Sequence, residues 1–498
     1  MLPSRPMARG RRTDLAIMLA IVALGSAVTI LWGERIGIYQ GEGWDGQAYA
    51  AWARDFPKAI LDKGVTTFQS DRVLPSAVLY YTLDAISAAH SRAHVIVAFQ
   101  LLNVLALLAS VGFLVRIAVI LEWSRPALWA AFVATFLSFA SAREALYYPT
   151  MTDTTAFALG MGTVWAYLGR RPIAQWAIAF ASAFTWPALV ASSFAALILP
   201  RATTALPVTT GRWHRPVAIG IGVAAGGFII AWFLYVLATP TGVERWLDRA
   251  HHDLYPLTIG LVVITTALAA YVVARQDLTW SVWPYVRQIG WLRIALALAA
   301  AAAILVVRGL WNDRVSTQGP GFTWRELRHY YAANAVRGPL WNTVHQVVYF
   351  GPIVLVAIAA WPRIARVAAR WGPAAILTLG MIVVTAVSAD ARHLLHLMPF
   401  AIAITITATA ELWTPRRVLV LAALYLVWSK IWLKIGYVIV HDSLKWPDLR
   451  FFMHHGPWAS DETWLAHLAG VVVTAVVLWL VLRRSPRGSP GQITRRAD

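Results

Sequence analysis

The stretch DLAIMLAIVALGSAVTILWG, residues 14–33, carries a charge only at its first position. A helix of about 20 predominantly apolar residues spans the hydrocarbon core of a bilayer. Arg5, Arg9, Arg11 and Arg12 precede the run, and no small-residue cleavage site followed by a soluble domain comes after it. The sequence therefore predicts a retained first transmembrane helix rather than a removed signal peptide.

Apolar runs of similar length recur to the carboxyl end of the chain. Hydrophobic residues make up 59% of the 498 residues and charged residues 13%, and cysteine is absent, which excludes disulfides and thiolate metal sites. We predict an all-α polytopic membrane protein with about 12–14 transmembrane helices. The candidate spans are 14–33, 95–115, 126–142, 154–169, 174–199, 216–239, 257–274, 291–311, 346–362, 373–389, 397–413, 416–436 and 464–482.

Arginine-rich segments predict the orientation, because Lys and Arg concentrate on the cytoplasmic side of membrane proteins. With both termini inside, the net charge of +19 belongs to the cytoplasmic face. Anionic membrane lipid, and not nucleic acid, is then the expected partner of that charge. The inward clusters are the amino-terminal tail, Arg170-Arg171, Arg201 to Arg215, Arg363 to Arg370, Arg416-Arg417 and Arg483 to Arg496.

The segment Gln175 to Pro200 interrupts this alternation, because arginines of cytoplasmic type flank it on both sides. Trp186-Pro187 lies near its middle, and a proline removes a backbone donor and bends or breaks a helix. We therefore predict a re-entrant hairpin, or two short helices that meet at Trp186-Pro187.

Most polar chemistry falls in long loops on the outer side, at 34–94, 240–256, 312–345 and 441–464. Loops carried by a helical scaffold are where binding and catalytic residues usually lie. We divide the chain into an amino-terminal membrane module, 1–200, with the large first outer loop, and a carboxyl-terminal set of membrane helices, 201–498.

The first outer loop begins with Gly41-Glu42-Gly43-Trp44-Asp45-Gly46-Gln47-Ala48-Tyr49. Asp45 lies between an aromatic residue and a glycine, so it is either a candidate catalytic base, with Gln47 and Tyr49 as substrate-binding neighbours, or a plain solvated acid of the loop. Further along, Asp71 and Arg72 precede Pro75. The following stretch, Ser76 to Ala89, is short and contains Asp84, which predicts an interfacial helix rather than a span.

Two later outer segments add candidates. Between two spans, Arg143, Glu144 and Tyr148 are possible substrate contacts, and Asp153 is either a second catalytic acid or simply the cap of the helix that follows. Arg392 and His393 lie before Met398-Pro399. A guanidinium binds a phosphate in a bidentate manner, although snorkelling to the interface is the alternative role for Arg392.

In this order and on one side, these residues resemble the membrane glycosyltransferases of the GT-C superfold, which use polyprenyl-phosphate sugars and include protein mannosyltransferases and lipid-A sugar transferases. Asp45 in Trp44-Asp45-Gly46-Gln47-Ala48-Tyr49 resembles the acid after the first span, and Arg72-Val73-Leu74-Pro75 the interfacial segment with its proline. Thr152-Asp153-Thr154 resembles the second outer acid. The resemblance covers the first 200 residues well and the remainder in outline.

The resemblance implies transfer of a sugar from a polyprenyl-phosphate donor to a hydroxyl of a glycan, lipid or protein, on the outer face of a bacterial inner membrane. Asp45 would be the general base, Arg72 and Arg392 would neutralise the phosphate, and the reaction would invert. One departure stands out. Many members carry Lys or Arg at the tip of the hairpin, where this chain has Phe184-Thr185-Trp186-Pro187.

Other interpretations remain open. No cofactor is required by the sequence, although a divalent ion such as Mg²⁺ or Mn²⁺ held by Asp45 and Asp153 is possible. A transporter or flippase for a lipid-linked sugar is disfavoured by the absence of a clear internal repeat and by the few charges within the predicted spans. A catalytically degenerate membrane scaffold would account for the missing hairpin base.

Overall fold

The computed structural model describes residues 9–61, 65–66, 70–202, 214–238, 252–277, 289–310, 315–316, 331–387, 390–435, 459 and 461–483. Within these ranges the protein is helical, apart from one two-residue parallel strand pair, Val65–Thr66 with Val315–Ser316. The predicted outer loops 240–256, 312–345 and 441–464 fall largely outside the described residues. The all-helical prediction is confirmed.

The α-helices are α1 (Arg9–Trp32), α2 (Trp44–Arg54), α3 (Phe56–Leu61), α4 (Leu74–Ala85), α5 (Arg92–Ile120), α6 (Arg125–Phe136), α7 (Ala140–Tyr147), α8 (Asp153–Leu168), α9 (Pro172–Ser182), α10 (Pro187–Ile198), α11 (His214–Ala238), α12 (Tyr255–Asp277), α13 (Trp291–Gly309), α14 (Trp341–Phe350), α15 (Ile353–Ala359), α16 (Trp361–Trp371), α17 (Pro373–Ala386), α18 (Met398–Ala408), α19 (Pro415–Trp428) and α20 (Asp461–Arg483). Short 3₁₀ turns occupy Ile38–Gly41, His252–Leu254, Ala391–Leu397 and Ala410–Leu412.

Seven helices of the described chain are long and apolar enough to cross a membrane, or eight if the bent pair α6 and α7 is one span. This number supports a multi-pass membrane protein but is smaller than the predicted 12–14. Several predicted spans are instead short or broken helices. The predicted span 346–362, for example, is divided at Gly351, which has φ of +80°, and Pro352.

Helices α9 and α10 form the predicted broken segment at 174–199. Helix α9 ends at Ser182 and α10 begins at Pro187, so the break includes Trp186-Pro187 as the sequence indicated. The two helices run side by side: Gln175 Nε2 donates to the carbonyl of Ala196 at 2.9 Å, and the Ser182 and Ser193 hydroxyls lie 3.2 Å apart. The segment is therefore a hairpin whose tip is residues 183–186.

One end of the helix bundle collects the arginine-rich segments. Arg11 donates to the carbonyl of Trp123, whose ring nitrogen donates to Thr407 at 3.1 Å. Close by in sequence, Glu411 pairs with Arg363 at the start of α16. These contacts join the amino terminus of α1, the turn before α6, the end of α18 and the start of α16.

The far end of α16 belongs to the same basic surface. The carbonyl of Trp371 accepts hydrogen bonds from the Tyr167 hydroxyl at 2.6 Å and from the amide of Ala202 at 3.1 Å. Arg170 in turn donates to the carbonyl of Ala202 at 2.7 Å. Described members of these arginine clusters, namely Arg11, Arg170 and Arg363, therefore meet at one end of the bundle, and the candidate acids lie at the other.

Labelling of introduced cysteines tests the orientation of these two ends, because the natural chain has no cysteine. We expect a membrane-impermeant maleimide added to intact bacterial cells to label Ala89→Cys, beyond α4 at the acidic end, and to leave Arg12→Cys unlabelled until the cells are opened. Both residues are exposed. The reverse pattern would place the candidate acids inside the cell.

Candidate functional site

The site begins in the turn between α1 and α2, where the backbone is strained. Tyr39 and Gln40 have φ of +47° and +57°, which costs free energy for residues other than glycine. Gly43 has φ of +67°, and a Cβ there would overlap the ring of Tyr148. The glycines of the motif therefore allow this turn to pass directly against Tyr148.

Buried charge holds the same turn in place. The carboxylate of Glu42 is fully buried and accepts hydrogen bonds from Arg54 at the end of α2 and from Arg92 Nε, at 3.1 Å, at the start of α5. The carbonyl of Glu42 accepts a 2.7 Å bond from Thr150. Two helix ends and the segment before α8 thus converge on one residue of the motif.

Asp45 lies in the first turn of α2 with an exposed side chain, and so does Gln47. On the other face of α2, Tyr49 is buried and its hydroxyl accepts a hydrogen bond from Arg72 at 3.3 Å. The amide of Gly46 donates to the Tyr148 hydroxyl at 3.2 Å. The motif therefore presents its acid to solvent and attaches its other face to the core.

Both tyrosines remain protonated at neutral pH. Burial raises the pKa of Tyr49 to about 12, partly offset by the charge of Arg72. Burial also raises the pKa of Tyr148 well above its ordinary value, and the nearby charge of Asp45 raises it further. Neither phenol is a base near neutral pH, so each can only donate or accept hydrogen bonds beside Asp45.

Arg392 is the electrostatic centre of the cluster. It is tied to Asp390 by two hydrogen bonds of 3.3 Å, from Nε and from one terminal nitrogen. Its guanidinium also interacts with the carboxylates of Asp153, Asp45 and Glu144. Asp45, Asp153 and Arg392, which are far apart in sequence, therefore lie in one cluster.

Asp153 is buried within this cluster. Neither of its oxygens accepts a hydrogen bond from the described residues, and no side-chain cap bond forms at the start of α8. The hydrogen bond expected if Asp153 capped α8 is therefore not found among the described residues. Glu144 is also buried, and its carboxyl group lies close to the hydroxyl of Tyr349.

Arg72 occupies the tip of the α9–α10 hairpin. Its guanidinium carbon lies 4.1 Å from the ring centroid of Trp186, a cation–π geometry. The backbone of the same segment is attached to the tip, because the Leu74 amide donates to the carbonyl of Phe184 at 2.8 Å. A cation is thus present at the tip although the tip sequence has none.

Arg143 and Asp71 form their ion pairs outside this carboxylate cluster, whereas Nε2 of His393 lies 3.9 Å from the carboxylate of Asp390 within it. Arg143 donates to Glu34 at 2.5 Å and to the carbonyl of Leu433 at 3.2 Å. Asp71 pairs with Arg308 at the end of α13, and burial raises its pKa. His393 stacks on Tyr331, with ring centroids 5.4 Å apart.

Sequence reasoning missed several residues of the site: Glu42, Asn103, Tyr331, Tyr349, Asp390 and His396. Asn103 is an example, since its buried amide donates to the carbonyls of Ala145 and Pro149 at 2.8 Å and so fixes the segment that carries Tyr148. A lone Asn in an apolar helix was the available signal, because a buried amide requires partners.

The proposed divalent ion finds little support in these contacts. No group of three or more His, Cys, Asp or Glu side chains suited to a metal occurs among the described residues. Asp153 has unbonded oxygens, but Arg392 already supplies positive charge beside it. The residues present do not fit a resident metal.

Comparisons of the chain with protein-family models, with curated proteins and with solved structures give no match. The functional assignment therefore depends on the geometry and charge of the site.

Substitution of Glu42 tests whether this buried carboxylate holds the turn that presents Asp45. We expect Glu42→Gln to lower the free energy of local opening of residues 38–46 by about 2 kcal/mol, because bonds to a charged acceptor are lost or weakened. Amide hydrogen exchange in this segment measures the change. Asp84→Asn, which removes an exposed carboxylate on α4, is the matched control and should leave the exchange unchanged.

Proposed function

We propose that this protein is an integral-membrane glycosyltransferase of GT-C type, which transfers a sugar from a polyprenyl-phosphate donor to an acceptor hydroxyl. The observation that carries the proposal is the meeting of an exposed carboxylate, Asp45, with Arg392, Arg72 and buried acids at the non-basic end of the bundle. The GT-C arrangement of about 12–14 spans and an active site on the outer face of a bacterial inner membrane belong to the same proposal.

Asp45 is the general base. Its side chain is exposed, so an acceptor hydroxyl can come within hydrogen-bond distance, which a base requires. The strained and ion-paired turn before α2 limits where the carboxylate can lie. Asp153 is buried and has no hydrogen bond from the described residues. Its role is therefore electrostatic, as an acidic group behind Asp45.

Arg72 is the principal contact of the donor phosphate. In the resembling enzymes a basic residue at the hairpin tip has this position, and here Arg72 lies over Trp186 at that tip. Stacking on the indole uses only the flat face of the guanidinium, so a phosphate oxygen would bind at its N–H edge, where one terminal nitrogen also donates to the Tyr49 hydroxyl. The missing hairpin base is therefore not evidence for a degenerate enzyme.

The role of Arg392 differs from the phosphate contact that the sequence suggested. Its charge is already engaged by Asp390 and by the three other carboxylates around it. We assign Arg392 to holding Asp45 and the buried acids around it in one place.

The reaction is a single displacement. Asp45 accepts the proton of the acceptor hydroxyl as the oxygen attacks the anomeric carbon, and the bond between that carbon and the phosphate oxygen breaks. The electron pair leaves with polyprenyl phosphate, whose developing negative charge is stabilised by Arg72. No glycosyl-enzyme forms, so the configuration at the anomeric carbon inverts. The acceptor is a glycan, lipid or protein hydroxyl.

Removal of the base gives the first test. We expect Asp45→Asn to lower kcat by about 10²–10⁴-fold with radiolabelled polyprenyl-phosphate sugars and purified protein, since this is the usual contribution of a general base. Asp84→Asn serves as the control for loss of an exposed carboxylate near the same loop. Equal activity of wild type and Asp45→Asn would remove Asp45 from this role.

The role of Arg72 predicts a separable effect. We expect Arg72→Lys to raise KM for the polyprenyl-phosphate donor by about tenfold, because lysine keeps the charge but loses the planar fork and the stacking on Trp186. Trp186→Phe should raise it less, since an aromatic face remains. Transfer rates measured over a range of donor concentrations separate KM from kcat, and an unchanged donor KM in Arg72→Lys would contradict the assignment.

A further inference from the structure

Helix α16 has two chemically different faces. Arg363, Arg366 and Arg370, spaced i, i+3 and i+7, are exposed and share one side of the helix. The opposite side is buried against the bundle and consists of Ile364, Ala365, Val367, Ala368 and Trp371. The arginines therefore form a row of about 10 Å on the surface, given the rise of a helix.

The arginine row of α16 has few acidic neighbours among the described residues. Helix α16 contains no acidic residue, and Glu411 is the acid that pairs with Arg363. Arg366 and Arg370 have no ion pair to a described residue. Near the end of the helix, the bonds to Trp371 bring Ala202 and Tyr167 close, and with them Arg170 and Arg201.

The helices that precede and follow α16 in the chain carry exposed apolar side chains. Ile358, in the last turn of α15, is 55% exposed, and Leu377, in the second turn of α17, is 53% exposed. A ligand that fits has an anionic head for the arginines and an apolar part for these side chains. A nucleic acid or an acidic peptide offers the first of these and not the second.

We propose that the exposed face of α16 binds the headgroups of anionic phospholipids, with their acyl chains beside α15 and α17. Arginine near a membrane surface is attracted to anionic lipid, and an amphipathic helix with a cationic face lies in the interface. The surface is at the opposite end of the bundle from Asp45 and does not depend on the proposed transferase activity.

Native mass spectrometry of the full-length protein released from detergent micelles tests this surface. The probe is phosphatidylglycerol, compared with phosphatidylcholine of the same acyl chains, and the quantity measured is the apparent Kd of the lipid adducts. We expect Arg363→Gln/Arg366→Gln/Arg370→Gln to raise the Kd for phosphatidylglycerol by about tenfold or more, and to leave that for phosphatidylcholine unchanged.

The control removes the same charge from the same end of the bundle but away from α16. Arg9→Gln/Arg12→Gln/Arg416→Gln changes three exposed arginines, and we expect less than a threefold effect. Excess inorganic phosphate should not compete, whereas competition by it, or by an acidic peptide or oligonucleotide at equal charge, would overturn the lipid assignment. Equal loss of affinity in the two triple variants, or none in either, would overturn it as well.

Discussion

The compensation of buried like charge by Arg392 is the constraint on which the polar end of this protein depends. Three buried acids, Asp390, Asp153 and Glu144, interact with this one guanidinium, as does the exposed Asp45. In a medium of low dielectric constant, unpaired carboxylates at such proximity repel strongly and resist burial. One fixed cation allows them to share a site. The segments that carry them, from the first outer loop to the turn before α18, must then meet at one end of the bundle.

The local structure provides this meeting through short and interrupted elements. A strained turn stabilised by Glu42 begins α2, Asn103 fixes the segment before α8, and the α9–α10 hairpin ends beside Arg72. Long uninterrupted helices carry mainly apolar side chains, because their surfaces face lipid. They therefore contribute few polar side chains to one site. The short helices thus lie at the polar site, whereas the long helices provide the apolar surface.

Much of the scaffold could be predicted from sequence, because apolar runs and proline are local signals. The helix class, the break at Trp186-Pro187 and the separation of basic and acidic ends follow from such signals. Hydropathy does not detect the division at Gly351, so the predicted span 346–362 consists of two shorter helices. Contacts between distant segments were beyond sequence reasoning. Two examples are the contact of Tyr349 with Glu144 and that of Arg72 with Trp186. No periodic pattern in the sequence relates residues so far apart in the chain.

The stacking of Arg72 on Trp186 places at the hairpin tip a positive charge that comes from a distant segment of the chain. The two residues are separated by more than a hundred positions, and the hydrogen bond from Leu74 to Phe184 keeps their segments in register. The tip sequence 183–186 contains no cation of its own, so the charge at this point is visible only in three dimensions.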